Sequence, residues 1–76
     1  MKKISLIQLT PGHKAVMSAA SGSGLSKKLM DMGLYPGKEV VKLSHIGLKG
    51  PVVIKFGRSI VALGHGVAEK VTVEVK

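Results

Sequence analysis

Three histidines are the residues best suited to chemistry, and their spacing defines no site. His13, His45 and His65 fall in a predicted turn, at a strand end and in a loop, without the short ligand spacing that marks a metal centre. Three such side chains can still converge in a folded chain. We interpret them as separate, exposed histidines, and we assign no metal ligand and no cofactor.

The carboxylates and a glycine-serine run also fail to form a catalytic constellation. Asp31 lies one helical turn from Lys27, so a surface ion pair explains it. Residues 21–24, Ser-Gly-Ser-Gly, precede a predicted helix N-terminus, where a phosphate can bind, but they lack the lysine and the serine or threonine of a phosphate-binding loop. We predict no catalytic residue and no enzymatic activity. The other three carboxylates lie on or beside predicted strands: Glu39, Glu69 and Glu74.

Length and charge define the class of protein. The 76 residues suffice for one domain, 1–76, and the absence of cysteine excludes disulfides, thiolate zinc sites and a cysteine nucleophile. A formal charge of +8 favours anionic partners, although a solvated basic surface explains it equally well. Only Arg58 among the twelve basic residues is an arginine, and only Tyr35 and Phe56 are aromatic. The chain therefore has few of the residues that read bases in DNA or stack on single-stranded nucleic acid.

The N-terminus starts like a signal peptide but does not continue as one. Two lysines precede an apolar run that Ser5 and Gln8 interrupt within a few residues. No later stretch reaches the length that crosses a bilayer. The sequence predicts a soluble, cytoplasmic protein.

The chain is organised around a short predicted helix, at about residues 24–32. Ser23 is the expected N-cap, and Gly33 suits the left-handed residue that closes a helix. A helix of this length is unstable alone, so its apolar stripe must pack on the strands. That stripe consists of Leu25, Leu29 and Met32.

Five strand signals and two matching turns surround the helix. Thr10-Pro11-Gly12-His13 predicts a type II turn, and Tyr35-Pro36-Gly37-Lys38 repeats its chemistry. A short entry segment with Leu6 and Leu9 is expected before the first turn, and residues 64–68 are expected to be a bridge. A mainly β fold follows, a small SH3-like antiparallel β-barrel with the helix capping one end, and the OB-fold is the close competitor. The predicted strands cover residues 14–20, 39–46, 52–56, 59–63 and the alternating segment 70–76.

One pattern runs from the helix and its flanks through the downstream strands. Its residues are Gly24-Leu25, Leu29, Asp31-Met32-Gly33-Leu34, Pro36-Gly37, Val40, Gly50-Pro51, 52–56, Gly57, 60–63, Ala68 and 71–75. This pattern resembles the FeoA family, small cytoplasmic accessory proteins of bacterial ferrous-iron uptake. The likeness covers nearly the whole chain, and its Met-Gly-Leu-x-Pro-Gly core is fairly specific.

The resemblance implies an SH3-like barrel, a fold that also forms the C-terminal domain of iron- and manganese-dependent repressors. It also implies a role beside FeoB, the membrane transporter with a cytoplasmic GTPase domain. Basic charge would draw the protein to the inner face of the cytoplasmic membrane. A small basic nucleic-acid-binding barrel is the alternative function, and a ferrous-iron sensor that uses the three histidines is a third. The sequence leaves open whether the protein forms a homo-oligomer.

An exposed surface beside the helix is the predicted partner-binding site. At 100° per residue Met30 lies about 140° from Leu25, away from the buried stripe, and Tyr35 follows at the turn. Lys28 adds a positive charge. The predicted partner-binding residues are Leu25, Lys28, Met30 and Tyr35.

Overall fold

One antiparallel sheet accounts for most of the structure. The computed structural model describes residues 2–22, 24–47 and 49–75, and within them the chain forms six strands and two short helices. The mainly β class and the single central helix are confirmed. The elements are β1 (Lys2–Ser5), β2 (Lys14–Ala20), α1 (Leu25–Asp31), β3 (Glu39–His45), β4 (Val52–Phe56), β5 (Ser59–Leu63), α2 (His65–Glu69) and β6 (Val71–Val75).

The sheet curls around a core without pairing its two edges. Its strand order is β1-β6-β2-β3-β4-β5, so β1 and β5 are the edge strands. Register shifts between Met17 and Ala19 on β2 and between Lys42 and Ser44 on β3 mark bulges, which increase local twist. Among the described helices, none is long and apolar enough to cross a membrane. The buried core contains Leu6, Leu9, Ala15, Met17, Leu29, Leu34, Val40, Val52, Ile54, Phe56, Leu63, Ala68, Val71 and Val73.

The predicted strands and turns agree closely with the structure. The bounds of β2, β4 and β5 are those expected, and β3 ends one residue early. His13 N–H donates to the Thr10 carbonyl at 3.1 Å and Lys38 N–H to the Tyr35 carbonyl at 3.0 Å, with positive φ at the third residue of each turn. These are the hydrogen bond and backbone angle of a type II turn.

Two elements were missed. β1 forms at the start of the chain, where no strand was predicted, and it pairs with β6 in the register Lys3↔Glu74 and Ile4↔Val73. Its apolar content is too low for a strand signal, so the pairing with β6 decides its conformation. Most of the expected bridge belongs to α2, His65–Glu69. This helix was not predicted, because Gly64 and Gly66 are unfavourable in helices. This single turn is stabilised by complete burial of Ala68.

The prediction for α1 was right about its position and wrong about one core residue. The helix spans Leu25–Asp31, its N-cap is Gly24, and Ser23, the expected N-cap, lies outside the described residues. Leu29 is buried as predicted and Leu25 is half-buried. Met32 is 42% exposed, contrary to the expectation that it joins the buried stripe.

A Schellman motif at Gly33 explains the exposure of Met32. Leu34 N–H donates to the Leu29 carbonyl at 2.8 Å, Gly33 N–H donates to the Met30 carbonyl at 2.9 Å, and Gly33 has φ 97°. The chain therefore reverses directly after Met32. Leu34 packs into the core beside Leu29, and it takes the place that helical continuation would have given to Met32.

We expect Leu29→Ala to lower the free energy of unfolding by about 2–5 kcal/mol, because truncation leaves a cavity in the core. Leu25→Ala should cost less, since Leu25 is already half-exposed, and Met32→Ala should stay within about 0.5 kcal/mol. Denaturant midpoints of the three variants provide the measurement. Equal losses for Leu29 and Met32 would show that α1 does not pack as described.

Candidate functional site

The end of α1 and the following turn form an exposed apolar surface. Met30, Met32 and Tyr35 are 54%, 42% and 43% exposed, and Lys28 is exposed beside them. We call Lys28, Met30, Met32 and Tyr35 the helix rim. Of the four predicted partner-binding residues, Lys28, Met30 and Tyr35 lie on this rim, whereas Leu25 packs partly against the core.

Sequence reasoning missed Met32 and Lys38 as parts of this surface. The Lys38 ammonium lies 5.8 Å from the centre of the Tyr35 ring, a distance at which a cation is attracted to the ring face. The same ammonium lies beside Gly57, in the turn between β4 and β5. Lys38 therefore joins the rim to that turn, which also carries Arg58. The helix stop at Gly33 was the available signal for Met32.

A polar cluster lies inside the sheet, around Lys42. This side chain is 1% exposed and is the one charged side chain buried within the described residues. Its ammonium donates to the carbonyls of Leu6 at 3.1 Å and Ile7 at 2.9 Å. Burial lowers the pKa of Lys42. The available signal was its position two residues after Val40, in the buried phase of β3.

His45 and His65 meet beside Lys42. Their ring centres are 6.2 Å apart, and Lys42 Nζ lies 3.2 Å from His45 Nδ1. His65 Nε2 lies 3.5 Å from a carboxylate oxygen of Glu69. Burial, the charge of Lys42 and that of His65 together lower the pKa of His45. The expectation that all three histidines are separate and exposed was therefore wrong for these two.

His13 lies apart from this pair, in the first type II turn. It is exposed and lines an open cleft of about 380 Å³ together with Val16 and the carboxylates of Glu39 and Glu74. Val16 pairs with both glutamates in the sheet. Within the part of the chain that the structure describes, no group of three or more histidine, aspartate or glutamate side chains is placed to hold a metal ion.

The model of the FeoA domain matches residues 4–75. The chain belongs to the FeoA family. No curated protein matches it significantly in sequence. A crystal structure of an iron uptake regulatory protein, FeoA, is 31% identical with a TM-score of 0.82, and the match covers 97% of both chains. Iron(II) transport protein A of Clostridium thermocellum is 34% identical with a TM-score of 0.80, over 95% of this chain and 45% of that one.

More distant matches confirm the fold. The zinc complex of Stenotrophomonas maltophilia FeoA, described as an SH3-domain protein, is 21% identical with a TM-score of 0.79 and covers 93% of this chain and 89% of that one. A manganese-dependent transcriptional repressor is 15% identical with a TM-score of 0.83, over 93% of this chain and 40% of that one. The FeoA resemblance and the SH3-like fold are confirmed, so the OB-fold is excluded.

Lys42→Met should lower the free energy of unfolding by about 1–3 kcal/mol, because it leaves the carbonyls of Leu6 and Ile7 without their donor. Lys55→Met, at an exposed position of the adjacent β4, is the matched control and should change it by less than about 0.5 kcal/mol. Urea unfolding at neutral pH measures both. A Lys42→Met protein as stable as wild type would mean that desolvation of the ammonium cancels its hydrogen bonds.

Proposed function

We propose that this protein is a non-enzymatic accessory protein of bacterial ferrous-iron uptake that docks on the cytoplasmic, GTPase-bearing part of the FeoB transporter. The observation that carries the proposal is the match of the FeoA domain model to residues 4–75. Similarity to structures described as an iron uptake regulatory protein and an iron(II) transport protein supports it. We treat residues 1–76 as one FeoA-like domain.

A role by contact fits the residues better than a catalytic role. The run at residues 21–24 lacks the lysine and hydroxyl residue that would hold nucleotide phosphates and Mg²⁺. Glu39 and Glu74, the two carboxylates of the open cleft, lie on opposite sides of Val16 on β3 and β6. Chemistry on GTP is therefore left to the transporter, and the accessory protein acts through a surface.

The helix rim is the proposed docking surface. It combines two exposed methionines and a tyrosine with lysines at its border, and interface centres are enriched in aromatic residues and methionine. The charge of +8 attracts the protein to the anionic inner face of the cytoplasmic membrane and to acidic parts of a partner. Half-buried Leu25 contributes by fixing α1 on the core.

The double change Lys28→Glu with Met30→Ser should weaken docking at least about fivefold, because it removes an apolar anchor and reverses a charge. The thermal midpoint should stay nearly unchanged, since both side chains are exposed. FeoB co-purification and iron-dependent growth measure the effect.

Lys55→Glu with Ile60→Ser is the matched control for this variant. Lys55 and Ile60 are cross-strand neighbours on β4 and β5, both are exposed, and the change has the same chemistry away from the rim. The control should co-purify with FeoB like wild type. Full activity of the folded rim variant would move the docking surface to the 47–51 loop, the 64–68 segment or, if the control fails, the outer face of β4 and β5.

A small basic nucleic-acid-binding barrel is the second candidate, suggested by the net charge of +8 and the fold class. Few side chains are available to stack on bases. Phe56 is buried in the core, and of the two Phe and Tyr residues only Tyr35 is exposed. Its lysines supply a phosphate contact without base reading.

We expect no complex with generic DNA or RNA beyond weak association at low salt. A titration of fluorescent oligonucleotides between low and physiological salt is the measurement. Binding that persists near physiological salt, with the steep slope of counterion release, would favour the nucleic-acid function over the transporter function.

A further inference from the structure

Four polar side chains form a continuous line from the interior of the sheet to the surface of α2. Lys42 Nζ contacts His45 Nδ1, the His45 ring faces the His65 ring, and His65 Nε2 contacts Glu69. His45 Nε2 and His65 Nδ1 are buried, and neither has a hydrogen-bond partner among the described residues. A buried polar atom without a partner is costly, so this pair requires an explanation.

The hydrogen positions on both rings follow from their outer contacts. The Lys42 ammonium is a donor without an acceptor atom, so His45 Nδ1 accepts from it and the ring carries its hydrogen on Nε2. The Glu69 carboxylate only accepts, so His65 carries its hydrogen on Nε2 and leaves Nδ1 bare. One N–H donor and one nitrogen acceptor are thus left over, and they are complementary.

This arrangement favours a hydrogen bond over a metal ion between the rings. A metal needs the lone pair of His45 Nε2, and that nitrogen bears a hydrogen while Lys42 occupies Nδ1. A neighbouring ammonium also repels a cation. The ring separation of 6.2 Å suits a hydrogen bond from His45 Nε2 to His65 Nδ1 through one water molecule or after a small rotation.

We propose that Lys42, His45, His65 and Glu69 form a proton-sensitive chain that holds α2 against β3 only while both imidazoles are neutral. A proton added to His45 enters Nδ1 and faces the Lys42 ammonium. A proton added to His65 enters Nδ1 and faces the His45 N–H. Either protonation brings two donors together and breaks the chain.

The surrounding charges set the direction of the effect. Lys42 on β3 opposes protonation of His45, and Glu69 on α2 is largely exposed, so solvent screens its charge. Burial acts with Lys42 and His65 to lower the pKa of His45 in the folded protein. Unfolding restores a pKa of about 6.5, so the stabilisation is complete above that value and is lost as pH falls toward the folded pKa.

Loss of this chain should loosen α2 before the rest of the fold. Among the described residues, α2 is also held by burial of Ala68, by packing of Val67 and by the Ser5 hydroxyl, which lies 3.1 Å from the Glu69 carbonyl and 3.4 Å from that of Ala68. The strands of the sheet keep their ladders. Acidification should therefore uncover apolar surface beneath α2 while β4 stays protected.

Nitrogen and proton NMR of the full chain tests the tautomers directly. At pH 7.5 both rings should be neutral with hydrogen on Nε2, and exchange of α2 amides, corrected for intrinsic rates, should rise relative to β4 amides as pH falls to 5. We expect this relative exchange to rise about tenfold for each pKa unit by which packing of α2 lowers the histidine pKa. A His45 hydrogen on Nδ1 at pH 7.5 would overturn the proposal.

Two variants separate titration from structure. The double variant H45Q with H65N keeps amide hydrogen-bonding groups but has no imidazole to protonate, so the relative exchange of α2 should lose its pH dependence. The control variant H13N removes an exposed histidine elsewhere, and its relative exchange of α2 should keep the pH dependence. If the double variant fails to fold, the wild-type tautomers and exchange still decide. Unchanged pH dependence in the folded double variant, or none in wild type, would overturn the proposal.

Discussion

The buried ammonium of Lys42 is the polar interaction that spans the curled sheet. Leu6 and Ile7 follow the edge strand β1, and Lys42 lies on β3, three strands away in the order β1-β6-β2-β3-β4-β5. A side chain on β3 can reach these carbonyls only because the sheet curls over the core. The backbone of Lys42 is fixed as well, since Gly12 N–H donates to its carbonyl and its own N–H donates to the His13 carbonyl, which extends the β2–β3 ladder. A charge held by carbonyl dipoles thus links β3 to the segment after β1 across the core, at the expense of desolvating an ammonium.

The chain reversal at Gly33 separates the apolar side chains that stabilise the core from those that are exposed to a partner. Leu29 and Leu34 face the core because the Schellman motif turns the chain after one short helix. Met32 stays outside for the same reason, and Met30 stays outside because of its position on the helix, away from Leu25. Within six residues, the protein thus places two apolar side chains in its core and two on its surface. An exposed pair of flexible thioethers has little value for folding, whereas it suits a contact surface that adapts to a partner.

Local patterns predicted most of the fold and little of the polar interior. Apolar runs bounded by turn residues identified β2, β4 and β5 with their bounds, because those signals lie within a few residues of one another. The conformations of β1 and α2 depend on contacts with β6 and the core, about which their own residues carry little information. The helical period placed Met30 outside correctly but failed for Met32, where the period ends. The pairing of His45 with His65 joins segments twenty residues apart, so no spacing rule could reveal it.

Charge and apolar surface have different parts in the proposed role. The lysines are spread over the chain, and the field they create attracts any acidic surface, whether membrane, nucleic acid or protein. Attraction of this kind raises the rate of encounter without selecting a partner, because it depends on the sum of charges and weakens with salt. Selection requires a local feature that buries well in one complementary surface. On this molecule, Met30, Met32 and Tyr35 provide an apolar group with lysines at its border. Within the proposed chain the Lys42 ammonium, 3.2 Å from the His45 ring nitrogen, opposes a further positive charge on that ring, so the contact requires a neutral imidazole at His45.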